Sequence, residues 1–224
     1  PSRYVFDEGH HLFDTADGVF SAHLSGMETA DLRRWLVGAE KGSRTRSPGL
    51  KKRIEDQLAG DAQTALHEVL QAALALPAAG WRQRLAEDGP RGPAEIFLAR
   101  VRQQVYARKQ GGESSYSLET SPRPAVPGLL AAAAALAAAL IRMDKPLAAL
   151  IKALDGLLDD KADELDSATR SRIEATSRGL GRRGLQQLRA WCAMLEDLEG
   201  PTPDEFIDWF GVERVDGRDI DVGF

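Results

Sequence analysis

The sequence predicts a mainly α-helical fold with a small β remnant at its two ends. Three observations carry that prediction. Apolar residues return at three- and four-residue spacing through most of the chain, an alanine-rich run fills the start of its second half, and β-branched or aromatic alternation is confined to the termini.

Taken in order, Arg3-Tyr4-Val5-Phe6 reads as a strand that ends in a turn at Asp7-Glu8-Gly9. From His10 to about Leu24 the spacing of Leu12, Phe13, Ala16, Val19 and Phe20 is helical, and about Thr29 to Val37 puts Leu32, Trp35 and Leu36 on one face. Gly38 to Ser47 is a basic, glycine-containing loop. Ser47-Pro48 then opens a stripe, Leu50 to Leu76, which is either one helix or two broken at Gly60-Asp61. Further helices are expected over Trp81 to Ala86 and Pro93 to Lys109. Gln110 to Pro127, rich in glycine, proline and serine, is a long exposed connection with a possible short strand at Tyr116 to Glu119. Leu129 to Met143 is an alanine-rich helix, and Lys145-Pro146 marks a new start carrying Leu147, Leu150, Ile151, Leu154, Leu157 and Leu158. Asp166 or Ser167 caps the next helix, Gly184 to Leu198 forms another, and Thr202-Pro203-Asp204-Glu205 is one more cap signature. Trp209 to Phe224 alternates around Asp216-Gly217 and predicts a hairpin.

Composition narrows the function. With 224 residues and 43% hydrophobic content there is material for a real core. The balance of 29 Lys and Arg against 34 Asp and Glu, a net charge of -5, argues against a surface that is basic throughout, though not against a local basic stripe. The single Cys192 excludes an internal disulfide framework and a cysteine-built zinc or iron–sulfur site, and fits a reducing cytoplasm. No secretory signal opens the sequence, and the apolar run Gly128 to Ile141 is shorter than the roughly 18 residues a membrane span needs. The non-Met first residue and a final Phe within a strand-like pattern give both ends the look of cuts.

The chemistry concentrates at Tyr4-Val5-Phe6-Asp7-Glu8-Gly9-His10-His11. Apolar residues running into Asp-Glu at a strand end suit nucleotide hydrolysis: the strand holds one carboxylate toward a metal and the second polarises a water. The plain alternative is a charged turn after an edge strand. Val5 to Leu12, followed by Asp14-Thr15-Ala16-Asp17, Phe20-Ser21, Leu24-Ser25-Gly26 and Leu32-Arg33-Arg34-Trp35-Leu36, resembles the DinG/XPD-like branch of superfamily two DNA helicases. There the Walker B box reads D-E-A-H, and here its third position is Gly9. Trp209 to Arg214 with Asp216-Gly217-Arg218 resembles the stretch that returns to the motor core in that family.

The resemblance implies an edge of a motor domain over residues 1–37, a helical arch-like insertion over 38–204 and a return segment over 205–224. It also implies that Asp7 helps hold the magnesium of bound ATP, Glu8 orients the hydrolytic water and His10 couples the nucleotide site to DNA. Single-stranded DNA and the rest of the motor are the implied partners, with no membrane. Whether an iron–sulfur cluster accompanies them stays open. The chain departs from the family in lacking any G-x-x-x-x-G-K-[ST] loop, so the resemblance implies a fragment without ATPase activity of its own. The alternative is a non-enzymatic helical module for protein interaction or DNA binding.

Two basic clusters are candidate DNA contacts: Lys41, Arg44, Arg46, Lys51, Lys52 and Arg53, and then Arg170, Arg172, Arg178, Arg182, Arg183 and Arg189. The bland alternative for both is a solvated face. His10, His11 and His23 lack a fourth ligand at metal-site spacing. His67 reads as exposed, Cys192 as a small buried hydrophobe, and Trp35, Trp81, Trp191 and Trp209 as core anchors rather than a stacking platform.

Overall fold

In the computed structural model, residues 7–12, 15, 21–39, 48–87, 89–109, 116–161 and 163–224 are described. The strand expected at Arg3 to Phe6 and the loop cations Lys41, Arg44 and Arg46 lie outside them. The mainly helical character holds. The element that organises it is one helix, α6 (Leu129–Asp160), 32 residues long. Its buried positions Leu129, Ala132, Ala133, Leu136, Leu140, Met143, Leu147, Leu150 and Leu154 form one uninterrupted stripe. The sequence expects a break at Pro146, but the helix runs through it. A proline inside a helix costs about 3 kcal/mol, and here the same stripe is buried on both sides of it, so packing offsets that cost.

Around α6 pack α3 (Asp61–Ala72), α5 (Gly92–Ala107), α7 (Ser167–Gly179) and α8 (Gln187–Asp197). The stripe from Leu50 divides as the second of its two alternatives: α2 (Leu50–Ile54) ends in a 3-10 turn, and Gly60, with φ at +54°, separates it from α3. α1 (Gly26–Val37) is capped by Ser25, whose hydroxyl accepts from the Glu28 N–H at 3.2 Å. Gly26 is where α1 meets α4 (Trp81–Ala86): a Cβ added there would lie 2.2 Å from Trp81 Cη2. Residues 21–24, expected to close a first helix, are not helical, and Leu24 pairs its backbone with Phe224 instead.

The sheet is β1 (Leu118–Thr120), β2 (Phe210–Val215) and β3 (Arg218–Gly223), antiparallel in that order. The hairpin turns at Asp216 (φ +50°) and Gly217 (φ +74°), as the Asp-Gly pair predicts. Beyond β3, Leu24 and Phe224 exchange backbone hydrogen bonds of 2.7 and 3.0 Å. One face of the sheet closes on α5: Phe210 meets Phe97 and Phe224 edge-on, at 6.4 and 5.2 Å between ring centroids. One hydrophobic core therefore draws on residues from Leu24 to Phe224.

Three polar devices, two of them on buried side chains, fix the connections. Glu95, 1% exposed, accepts from both Arg84 Nε and Nη2 and from the Ala78 and Arg91 N–H groups. Burial pushes its carboxyl upward, but these donors outweigh it and hold it below its ordinary value. Gln104 donates to the Ser121 and Pro122 carbonyls and accepts from the Val126 N–H, pinning part of the connection expected to be exposed. Arg123 donates to the Asp197 and Gly200 carbonyls, Thr202 and Asp208. The cap signature at Thr202 starts no helix, only a turn closed by Phe206 N–H to Pro203 at 2.9 Å.

Candidate functional site

The Asp7-Glu8-Gly9-His10 turn is exposed and opens a helical turn in which His11 and Leu12 donate to the Glu8 and Gly9 carbonyls. Glu8 sits at φ +53°, a region L residues visit at a cost. Its carboxylate reaches His10 Nδ1 at 3.2 Å, while the Asp7 carboxylate accepts the Glu8 N–H at 3.1 Å. The two carboxylates therefore diverge: Asp7 caps its own turn, and Glu8 joins His10 and His11; the ligand atoms of these three lie within 4.8 Å of one another, and the two rings are 4.0 Å apart and tilted by 41°. A carboxylate with two imidazoles suits a borderline transition ion better than magnesium, which takes oxygen ligands in an octahedron. ATP with magnesium does not fit this chain by itself. No phosphate-cradling loop exists in the sequence, and Asp7 is the one carboxylate of the turn not committed to a histidine.

The basic residues resolve differently. Of the nine described cations in the two clusters, Lys51 pairs with Glu55, Arg170 with Glu174, Arg172 with Asp56 and Arg189 with Asp144. Arg53 stacks its guanidinium 5.5 Å from the Trp35 ring centroid and donates to the Pro48 carbonyl. Lys52, Arg178, Arg182 and Arg183 are exposed and make no ion pair among the described residues. Arg189 stands apart on α8, gripped at both ends by Asp144 at 2.6 and 3.1 Å.

What the sequence keeps separate, the fold joins. Arg172 on α7 reaches Asp56, at the end of α2, at 3.0 Å, so the two clusters meet across one bridge. Trp35 cements the junction from below. A Cβ on Gly179 would lie 2.8 Å from Trp35 Cζ2, so the indole lies against bare backbone on one side and carries Arg53. After Gly179 the helix widens into a π-helical segment, Leu180–Gln186, before α8 resumes; the expected separate helix at Gly184 is a continuation of this one. Gly184 keeps that segment close to α6, where an added Cβ would meet Leu147 at 3.5 Å. Arg182 and Arg183 ride on the widened turn and face outward. π-helical segments are rare and are frequent at functional sites.

Trp35 is the residue that reasoning from sequence missed; it is half-buried at the junction rather than a core anchor. The available signal was Gly179 and Gly184 flanking the arginine pair, since a glycine inside a helical pattern often has a packing reason. Trp81 and Trp191 are core residues, whereas Trp209 is 48% exposed. Cys192 is half-buried, and burial, followed by Glu196 and Asp144, pushes its thiol up to about 11, so it is a poor nucleophile. His67 is exposed. Among the described residues no helix is long and apolar enough to cross a membrane. No family model matches the chain, and neither curated proteins nor solved structures yield a match.

Proposed function

We propose that the chain is the helical, strand-guiding part of an ATP-dependent DNA helicase of the DinG/XPD-like kind, working in the cytoplasm. The observation that carries this reading is the joined basic face, on which Lys52, Arg178, Arg182 and Arg183 make no ion pair among the described residues, beside the Arg53–Trp35 stack. Such a face holds a nucleic-acid strand through phosphate contacts and releases its counterions, without reading sequence. The half-buried Trp35 offers little ring surface, so base stacking adds little. In the intact helicase, hydrolysis would drive translocation while this face steers the separated strand. Asp7, Glu8 and His10 would then belong to the nucleotide site, assigned by resemblance, and contribute no turnover in this chain alone.

The test is anisotropy of a labelled single-stranded oligonucleotide across a salt series, beside a duplex of equal length. Four phosphate contacts predict a log–log salt slope of about -3 for single strands, and charge reversal at Arg182 and Arg183 should abolish binding. Absence of binding at low salt would retire the strand-guiding role. Magnesium-dependent ATP turnover by the pure chain that vanishes in Glu8→Gln would overturn the assignment of an incomplete nucleotide site.

A second reading, a helical interaction module, draws on Phe206, Ile207 and Trp209, which are 61%, 83% and 48% exposed in near succession. A phosphate-binding loop encoded upstream in the same reading frame, with a third helicase motif downstream, would decide against it.

A further inference from the structure

A cavity of about 420 Å³ lies between α4, α5 and the β2–β3 hairpin, built from elements other than those of the Trp35 face. Its volume is that of a small-molecule site. Four guanidinium groups line it, Arg82, Arg102, Arg214 and Arg218, against two carboxylates, Asp219 and Asp221. The carboxylates are committed. Asp219 accepts from Arg102 Nε at 2.8 Å, from the Tyr106 hydroxyl at 2.6 Å and from Arg214 Nε at 3.2 Å. Asp221 accepts the Met27 and Val222 N–H groups at 3.0 and 2.9 Å.

This arrangement orients cations rather than cancelling them. Asp219 holds Arg102 by its Nε, and the Tyr106 ring lies 4.7 Å beneath the same guanidinium. Both η nitrogens of Arg102 are left without a hydrogen-bond partner among the described residues. Arg218, exposed on the hairpin, has none either. A planar fork held at its base by a carboxylate and an aromatic ring is prepared for an oxyanion, at little further entropic cost. The excess of two positive groups matches a phosphomonoester, which carries about -1.5 to -2 at neutral pH, better than a single carboxylate. Trp81, Leu85 and Ile220 supply an apolar wall beside it.

We infer that this cavity binds a terminal phosphate carried on a flat, base-sized group, as in a mononucleotide or the phosphorylated end of a strand. Arg102 and Arg218 grip the phosphate, and Asp219 with Tyr106 positions Arg102.

The experiment is equilibrium dialysis of the 224-residue chain against deoxythymidine 5′-monophosphate, with thymidine and inorganic phosphate as companions. Saturable binding of the monophosphate is expected, competed by inorganic phosphate and absent for thymidine. Arg218→Glu, on an exposed strand start, should leave the circular dichroism spectrum unchanged and weaken binding by about tenfold or more. Arg102→Gln should do likewise, while Arg183→Glu, on the other face, should bind as the parent does. A 5′-phosphorylated oligonucleotide that outbinds its 5′-hydroxyl counterpart, with the advantage lost in Arg218→Glu, would identify a strand end as the source; monophosphate binding without that advantage would identify a free nucleotide. No saturable binding of either phosphate-bearing probe, equal binding of thymidine, or unchanged affinity in both arginine variants would overturn the inference.

Discussion

The α4–α5 corner and the α7–π face use the same side chain in opposite ways. At the corner, Arg84 and Glu95 are sequestered at 18% and 2% side-chain exposure, and two backbone N–H groups join Arg84 in donating to the carboxylate. On the face, Arg172 and Asp56 meet in solvent at 41% and 57% exposure, and the arginines beyond them pair with nothing described. A buried pair fixes structure because breaking it strands a charge, whereas an exposed pair is screened and contributes little. Cations that the fold does not need for its stability are the ones left to bind a ligand.

The largest effect is expected from Glu95→Gln, which removes the buried carboxylate charge paired with Arg84. A loss of about 3–5 kcal/mol is expected in urea unfolding. The pH dependence has a definite sign. Because the folded carboxyl lies below its ordinary 4.5, its contribution is present above that value and is lost as pH falls through the folded one. The Gln variant should lack this component of acid destabilisation, and equal slopes in both proteins would contradict the pairing.

Gly26→Ala comes next. The new methyl would overlap the Trp81 ring at 2.2 Å, so about 1–3 kcal/mol should be lost together with a change in tryptophan emission. Gly179→Ala presses on Trp35 at 2.8 Å, but Trp35 is half-buried and can yield outward. Its thermal shift should be smaller than that of Gly26→Ala, with strand affinity reduced by displacement of the Arg53 stack. The smallest effect sharpens the comparison most: reversing Arg182 and Arg183 should change stability by less than about 0.5 kcal/mol while removing strand binding. A large stability loss there would make the face structural.

Local elements were legible because local physics sets them. Asp166 caps as its side chain predicts, Asp216-Gly217 turns the hairpin, and both halves of the α6 stripe were visible at helical spacing. The failures share a cause. Pro146 suggested a break, yet burial on both sides of it carries the helix through; Leu24 looked helical, yet a strand two hundred residues away claims its backbone. At the site, the arginines were legible one by one, but their meeting depends on a side chain, Asp56, and an indole, Trp35, with no periodic signature. Asp219 was invisible for the same reason: its three donors come from positions 102, 106 and 214.

The paired backbones of Leu24 and Phe224 have a mechanical consequence. Two antiparallel segments leave the bundle side by side, joined by two hydrogen bonds and steadied by Trp191, whose indole N–H donates to the His23 carbonyl at 2.6 Å. A tension pulling residues 21 and 224 apart would load those two bonds first, as a zipper is opened. Leu24 and Phe224 are themselves buried core residues, so this narrow seam is where a load would first begin to uncover the core.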